Sequence, residues 1–255
     1  MKKLLLILLL IGATLQESQA KIQAGVGIKV GPTFGRYNNK FTKPGQANAG
    51  GTLGYQLGLH AGIQGRIWFN KFVGINLAAE FNMSGNKYKG TKGVVITSVT
   101  NKENQLTIPL TAMVGWGNER LRVFGNLGGY FGYIFSGTQT VDVNNNGSET
   151  SSGSVKSDYN NYLEKIDAGV RLGAGIQVYV DKKLKSCVTF DINYDYGFLD
   201  VYKNGTPSYY IKPDKLKITN SKLMIGVGFI YTFGKSQAEE KPKRPVPVAT
   251  DDSEN

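Results

Sequence analysis

Residues 222–233, Lys-Leu-Met-Ile-Gly-Val-Gly-Phe-Ile-Tyr-Thr-Phe, constrain the fold of this chain more than any other stretch. Successive side chains of a strand point to opposite faces. Leu223, Ile225, Val227, Phe229, Tyr231 and Phe233 therefore form a continuous apolar face ending in aromatics. Met224, Gly226, Gly228, Ile230 and Thr232 form the other face, which is mostly small. A soluble sheet hides its broad apolar face in a core and wets the opposite one. A broad apolar face backed by glycine instead suits lipid outside and a cramped lumen inside.

The inversion recurs seven more times. In 24–36, Ala24, Val26, Ile28 and Val30 oppose Gly25, Gly27, Lys29 and Gly31. In 52–67, Leu53, Tyr55, Leu57, Leu59 and Ile63 oppose Gly54, Gly58, His60, Gln64 and Arg66. The stretches 72–84, 105–116, 166–180 and 188–197 follow the same rule, and 121–135 follows it in a blurrier pattern. Pro109 interrupts the fourth, and because proline donates no ladder hydrogen bond, a local bulge is predicted there. The connections alternate long and short, with short turns at 68–71, 117–120 and 181–185. The predicted fold is all-β: an eight-stranded antiparallel up-and-down transmembrane β-barrel over 21–233, with short periplasmic turns and long extracellular loops.

The two ends fit export. Residues 1–20 read as a signal peptide, with Lys2 and Lys3 before an apolar run from Leu4 to Ile11 and Ser18-Gln-Ala20 as the cleavage site. Residues 234–255 are charged and Pro-rich and read as an extended periplasmic tail without a core of its own. No other stretch has 18 consecutive apolar residues, so strands must do the crossing. Cys187 is the only cysteine, which excludes an internal disulfide.

A soluble eight-stranded barrel of lipocalin type would need the opposite arrangement, polar outside and apolar inside. Eight almost uninterrupted apolar faces in water would exceed the patches soluble monomers tolerate. In lipid they are at home, and closure leaves no unpaired edge. Trp68, Trp116, Tyr231 and Phe233 are then expected as one aromatic belt, and Phe34, Phe81, Tyr133, Phe135 and Tyr196 as the other.

The interior of an eight-stranded barrel is just wide enough to be filled by side chains. Lys29, His60, Arg66, Glu80, Arg171, Asp191 and Asp195 carry inward parity and form the expected polar network of the lumen. Counting from a turn at 68–71 places Glu80 beside His60, Asn76 beside Gln64 and Gly74 beside Arg66. The hairpin at 181–185 brings Arg171 near Asp195 or Asp191.

Catalytic, cofactor and metal sites are not indicated. A Ser–His hydrolase acting on lipid would have to use His60, the single histidine, which points into the barrel. Asp191 and Asp195 share a face, where pairing with Arg171 and Lys29 explains them better than acid–base work. The run Gly169 to Gly175 lies within a strand, with no helix behind it to bind phosphate.

The formal charge of +11 would suit nucleic acid, but an exported chain rarely meets it; anionic lipid headgroups are the expected counterpart. Lys87, Lys89, Lys92 and Lys102 crowd one external loop, where they either contact lipopolysaccharide phosphates or an acidic partner or are simply solvated.

Leu106-Thr-Ile-Pro-Leu110, Phe124-Gly-Asn-Leu-Gly128, Gly169-Val-Arg-Leu-Gly-Ala-Gly-Ile176 and Tyr194-Asp-Tyr-Gly-Phe-Leu-Asp200, with the closing strand, resemble in order the PorT-like outer membrane protein β-barrel domain family. The resemblance runs over roughly 22–233 and implies an outer-membrane barrel of a family whose members mostly lack a defined activity, and it transfers no catalytic residues. PorT-like members are associated with protein secretion and sorting, so an accessory role in such a complex is one expectation. The broader one is a non-enzymatic barrel with a structural or interaction role, and a narrow pore is a third. Phe233 resembles the C-terminal aromatic read by barrel assembly machinery, although 22 residues follow it. The tail is the expected contact for periplasmic proteins.

Overall fold

The computed structural model describes residues 22–38, 51–92, 95–118, 120–145, 153–158, 160–201, 203 and 217–233. The signal peptide at 1–20 and the tail at 234–255 lie outside the described residues. So do Lys40 and Lys43 of the first loop and Asn146 to Ser152 of the third.

Nine strands occur among the described residues: β1 Gln23–Asn38, β2 Gly51–Trp68, β3 Val73–Lys92, β4 Val95–Gly117, β5 Leu121–Asn145, β6 Gly153–Asp158, β7 Ile166–Tyr179, β8 Ser186–Gly197 and β9 Thr219–Phe233. Every pairing is antiparallel. The order β4-β3-β2-β1-β9-β8-β7-β5, with β4 also paired to β5, closes a ring of eight. The short β6 stands outside that ring and pairs only with the upper part of β5. None of the described helices is long and apolar enough to cross a membrane; the crossing elements are the strands.

The closing strand pairs with β1 from Ala24↔Phe233 to Asn38↔Thr219. Its Ile225, Val227, Phe229, Tyr231 and Phe233 are exposed on the outside, while Met224 and Ile230 are buried within. The same split runs round the ring, and Ile63, Leu110, Leu127, Leu172 and Ile192 are each more than half exposed. Lipid is the environment in which such a wall has no penalty. Of the aromatics predicted as belts, Phe81 and Phe135 pack at 5.7 Å near one rim, and Tyr231 packs against Phe233 at 5.2 Å near the other.

Trp68 departs from the prediction. It is 1% exposed and sits inside against Phe124. Its parity is that of Arg66 and Gln64, so the strand continues through it and the turn falls at 69–72 instead of 68–71. Asn70 Oδ1 accepts hydrogen bonds from the amides of Phe72 and Val73 at 2.8 Å each, which shapes that turn. The register consequently shifts by two: Arg66 pairs with Asn76, Gly62 with Glu80, and His60 with Asn82.

Pro109 makes no bulge. It pairs with Tyr130 in an unshifted stretch, and the irregularity on β4–β5 falls at Asn104/Gln105. The ladder to β3 keeps the same register on both sides of the proline. The predicted loops at 85–104 and 136–164 are largely strand. β3 and β4 continue paired to Lys92↔Val95, and β5 runs on to Asn145. With β6 and the start of β2, they form a sheet that rises above the barrel. Asn86, Asn101 and Gln139 bind it across three strands: Asn101 Nδ2 donates to Asn86 Oδ1 at 2.8 Å, and Gln139 Nε2 donates to Asn101 Oδ1 at 2.9 Å.

Candidate functional site

Inward parity carries polar residues from all eight wall strands into one narrow space, which is filled in layers. The floor, beside the short turns, is apolar and aromatic: Trp68, Met113 and Phe124 form one buried cluster. The Arg122 guanidinium lies 4.3 Å from the Trp68 ring and that of Arg66 lies 4.6 Å from Phe124. Stacking on ring faces favours a cation removed from water.

The middle layer is built around Arg171. From β7, its Nε donates to Asp195 Oδ1 at 2.6 Å and its NH2 donates to Asp195 Oδ2 at 2.8 Å. The same guanidinium crosses the lumen to Glu80 on β3, NH1 donating to Oε1 at 2.7 Å and NH2 to Oε2 at 3.0 Å. Lys29 Nζ closes on Glu80 Oε1 at 2.5 Å and lies 4.0 Å from Asp191. Asp191 faces Arg66 at 3.6 Å and accepts from Asn193 Nδ2 at 2.6 Å. Bidentate pairing of this kind satisfies a planar guanidinium in a dry interior.

Glycine makes room for these carboxylates. A Cβ at Gly62 would lie 2.8 Å from Glu80 Cα, so the residue opposite the carboxylate must be small. A Cβ at Gly226 would lie 3.0 Å from Asp191 Oδ1 and 3.3 Å from His60 Nε2. His60 is 1% exposed, and its Nδ1 lies 3.2 Å from Thr33 Oγ1. The histidine thus sits at the edge of the ionic layer rather than beside Glu80.

Above lies a second polar layer. Lys222 Nζ donates to Gln105 Oε1 and lies 3.7 Å from Asp167. Asp167 Oδ2 also accepts from Gln105 Nε2 at 3.1 Å and from the Tyr130 hydroxyl at 3.2 Å. Toward the mouth lies an apolar cap of Tyr37, Ile134, Leu163, Val201 and Ile218. Main-chain bonds tie the cap together, from Ile134 N to Lys165 O and from Val201 N to Ile218 O, both at 2.8 Å.

All seven residues predicted for the network lie in this space and are buried. The geometry joins Lys29, Arg66, Glu80, Arg171, Asp191 and Asp195 through ion pairs and leaves His60 beside them. It also adds Glu103, Arg122, Asp167 and Lys222. Lys222 and Asp167 carry inward parity that was legible, Arg122 stands in a strand whose alternation is blurred, and Glu103 was hidden in a stretch read as loop. Among the described residues the buried charged side chains are Lys29, Arg66, Arg122, Arg171 and Lys222 against Glu80, Glu103, Asp167, Asp191 and Asp195, five against five by formal count. The excess of basic residues therefore belongs to the outside.

Among the described residues no cluster of His, Cys, Asp or Glu could hold a metal ion. Cys187 is buried beside Tyr179, Leu184 and Ile230. Every charged group of the ionic layer is directed at another protein charge, an arrangement suited to holding strands together.

Residues 16–203 match the family described as outer membrane protein beta-barrel domain. No curated protein matches the chain. Among solved structures, the outer membrane protein OprG from Pseudomonas aeruginosa is similar at 15% identity and a TM-score of 0.44, covering 84% of this chain and 96% of its own. Ail, the attachment invasion locus protein of Yersinia pestis, aligns at 15% identity and a TM-score of 0.36, over 82% of this chain and 99% of Ail. The outer membrane protease OmpT from Escherichia coli aligns at 11% identity and a TM-score of 0.30, over 86% and 100%.

Proposed function

The chain belongs to the outer membrane protein beta-barrel domain family, and from that premise we propose that it is a closed-lumen, non-enzymatic barrel of the bacterial outer membrane that works as an interaction platform. The single observation carrying this reading is the filled lumen, with an aromatic floor, an ionic middle and an apolar cap in series. A path for solute would have to break bidentate contacts of Arg171 on two sides. What remains available to partners is the sheet of β3, β4, β5 and β6 raised beyond the wall. Edge and face of such a sheet offer backbone and side chains to a ligand without disturbing the barrel.

The resemblance to PorT-like barrels supports a narrower form, in which this sheet or the tail at 234–255 serves a secretion or sorting complex. Co-purification of the full chain and of a chain ending at Phe233 tests that form; partners lost with the tail support it. The broader reading is tested by planar-bilayer recording of the purified protein. We expect no discrete openings, and stepwise conductance would overturn the closed lumen.

A further inference from the structure

The outward face of the raised sheet carries a charge pattern that the lumen does not explain. Lys87 and Lys89 on β3 and Lys102 on β4 are all exposed. Lys87 is paired with Thr100, Lys89 with Ser98 and Lys102 with Gly85. Successive members of the trio are thus separated by roughly 7–8 Å at their Cα atoms, given strand spacing and pleat. That is within a Debye length of about 8 Å at physiological salt, so the charges act together. None of the three has an ion-pair partner among the described residues. Thr100 and Ser98 place hydroxyls on the same face, between the lysines and β5. On the β1 side, Arg36 lies 5.7 Å over the Tyr55 ring. Of the acidic residues of this face, Asp142 on β5 is the cross-strand partner of Ser98, and Asp158 on β6 is separated from Lys102 by Thr138.

Height decides what such a face meets. Lys87 follows Met83, the last lipid-facing residue of β3, by four positions, and Lys102 precedes Leu106, the first lipid-facing residue of β4, by four. Along a tilted strand this is a rise of about 10 Å above the apolar belt. Lysine stems can reach back down by snorkelling, which puts the ammonium groups at the headgroup level.

We infer that Lys87, Lys89 and Lys102, with the hydroxyls of Ser98 and Thr100, form a docking face for the phosphate groups of a phosphorylated glycolipid in the outer leaflet. The inference deepens the platform reading and rests on it. Charge complementarity is the reason for choosing this occupant: the face is cationic, donor-rich and level with lipid phosphates. An acidic protein would need acceptors opposite the lysines but no particular height.

The experiment uses the full chain in detergent micelles and native mass spectrometry, with bisphosphorylated lipid A, its monophosphorylated form and inorganic phosphate as probes. The variant K87Q/K89Q/K102Q is compared with K182Q/K183Q/K185Q, which removes three lysines from a short turn at the other end. We expect the first variant to retain about tenfold less bisphosphorylated lipid than the wild type, at up to about fivefold per cation near an anionic surface. The second variant should bind as the wild type does, and the monophosphorylated lipid should bind more weakly. Equal retention by the first variant, an equal loss in the second, or displacement of the lipid by inorganic phosphate at matching concentration would each overturn the docking face. Gel mobility before and after boiling separates the two readings. Shifted bands in all proteins keep the barrel while the site fails; an unshifted wild-type band removes both.

Discussion

The lumen and the raised sheet are made from the same strands, yet they treat charge in opposite ways. On β4, Gln105 and Glu103 point inward and are fully buried, while Lys102 beside them is exposed. Inside, four of the five buried cations meet four of the five buried acids, Arg122 stacks on Trp68 and Glu103 faces Asn220. Outside, three clustered lysines have no ion-pair partner among the described residues. Solvent explains the contrast. A charge taken from water costs several kcal/mol unless paired, whereas an exposed one costs little and gains little from pairing. Balance in the lumen is therefore a folding requirement, and imbalance on the sheet is free to serve binding.

The sharpest way to break this contrast is to unbalance the lumen. Glu80→Gln leaves Lys29 and the outer edge of Arg171 without their shared carboxylate. Removing one partner of a buried pair typically costs about 3–5 kcal/mol. Urea unfolding in lipid vesicles, followed by tryptophan fluorescence, should show a loss of that size. The triple lysine variant on the sheet should stay within about 0.5 kcal/mol of the wild type in the same assay. A Glu80→Gln protein as stable as the lysine variant would mean that water reaches the ionic layer and that the lumen is not closed.

A smaller effect is expected at the floor. Trp68→Leu keeps an apolar side chain but leaves a gap against Phe124 and removes the ring beneath Arg122. About 2 kcal/mol is expected from the lost volume and stacking together. Trp116→Leu is the control, since Trp116 is 79% exposed outside, and there the change should be under about 1 kcal/mol. Equal losses at the two tryptophans would return Trp68 to the lipid belt.

That pair also shows what could be read from residues alone. Alternation exposes which face meets lipid, because one wrong step would put Lys29 or Glu80 into hydrocarbon. It places eight wall strands and all seven of the network residues first named. Register is weaker information. The Asx turn at Asn70 moved the hairpin by one residue at each end, and the partner of Glu80 changed from His60 to Gly62. The raised sheet was faint for another reason: Val94-Val-Ile96 suggested a hairpin extending beyond the membrane, and the ladder does run on to Lys92↔Val95, but no lipid-facing apolar row continues through residues 84–104 to mark a wall. Contacts between distant strands, such as Glu80 with Arg171, depend on curvature and side-chain reach that no local pattern contains.

The smallest effect is expected at an exposed charge that has a structural task. Asp181 opens the turn between β7 and β8, and its Oδ1 accepts from the amides of Lys185 and Ser186 at 2.8 Å each. These bonds, that of Ser186 foremost, hold its carboxyl below the usual carboxylate range. A carboxylate whose pKa is lowered by folding adds stability above its unfolded pKa and loses it as pH falls through the folded value. Asp181→Ala should therefore lower the urea midpoint slightly at neutral pH, and the gap from the wild type should close progressively in acid. Solvent exposure keeps the effect well below that of Glu80→Gln. If the gap persisted unchanged into acid, the turn would depend on packing at Leu184 rather than on the ionised carboxylate, and the contrast between paired buried charge and unpaired exposed charge would lose this exposed exception.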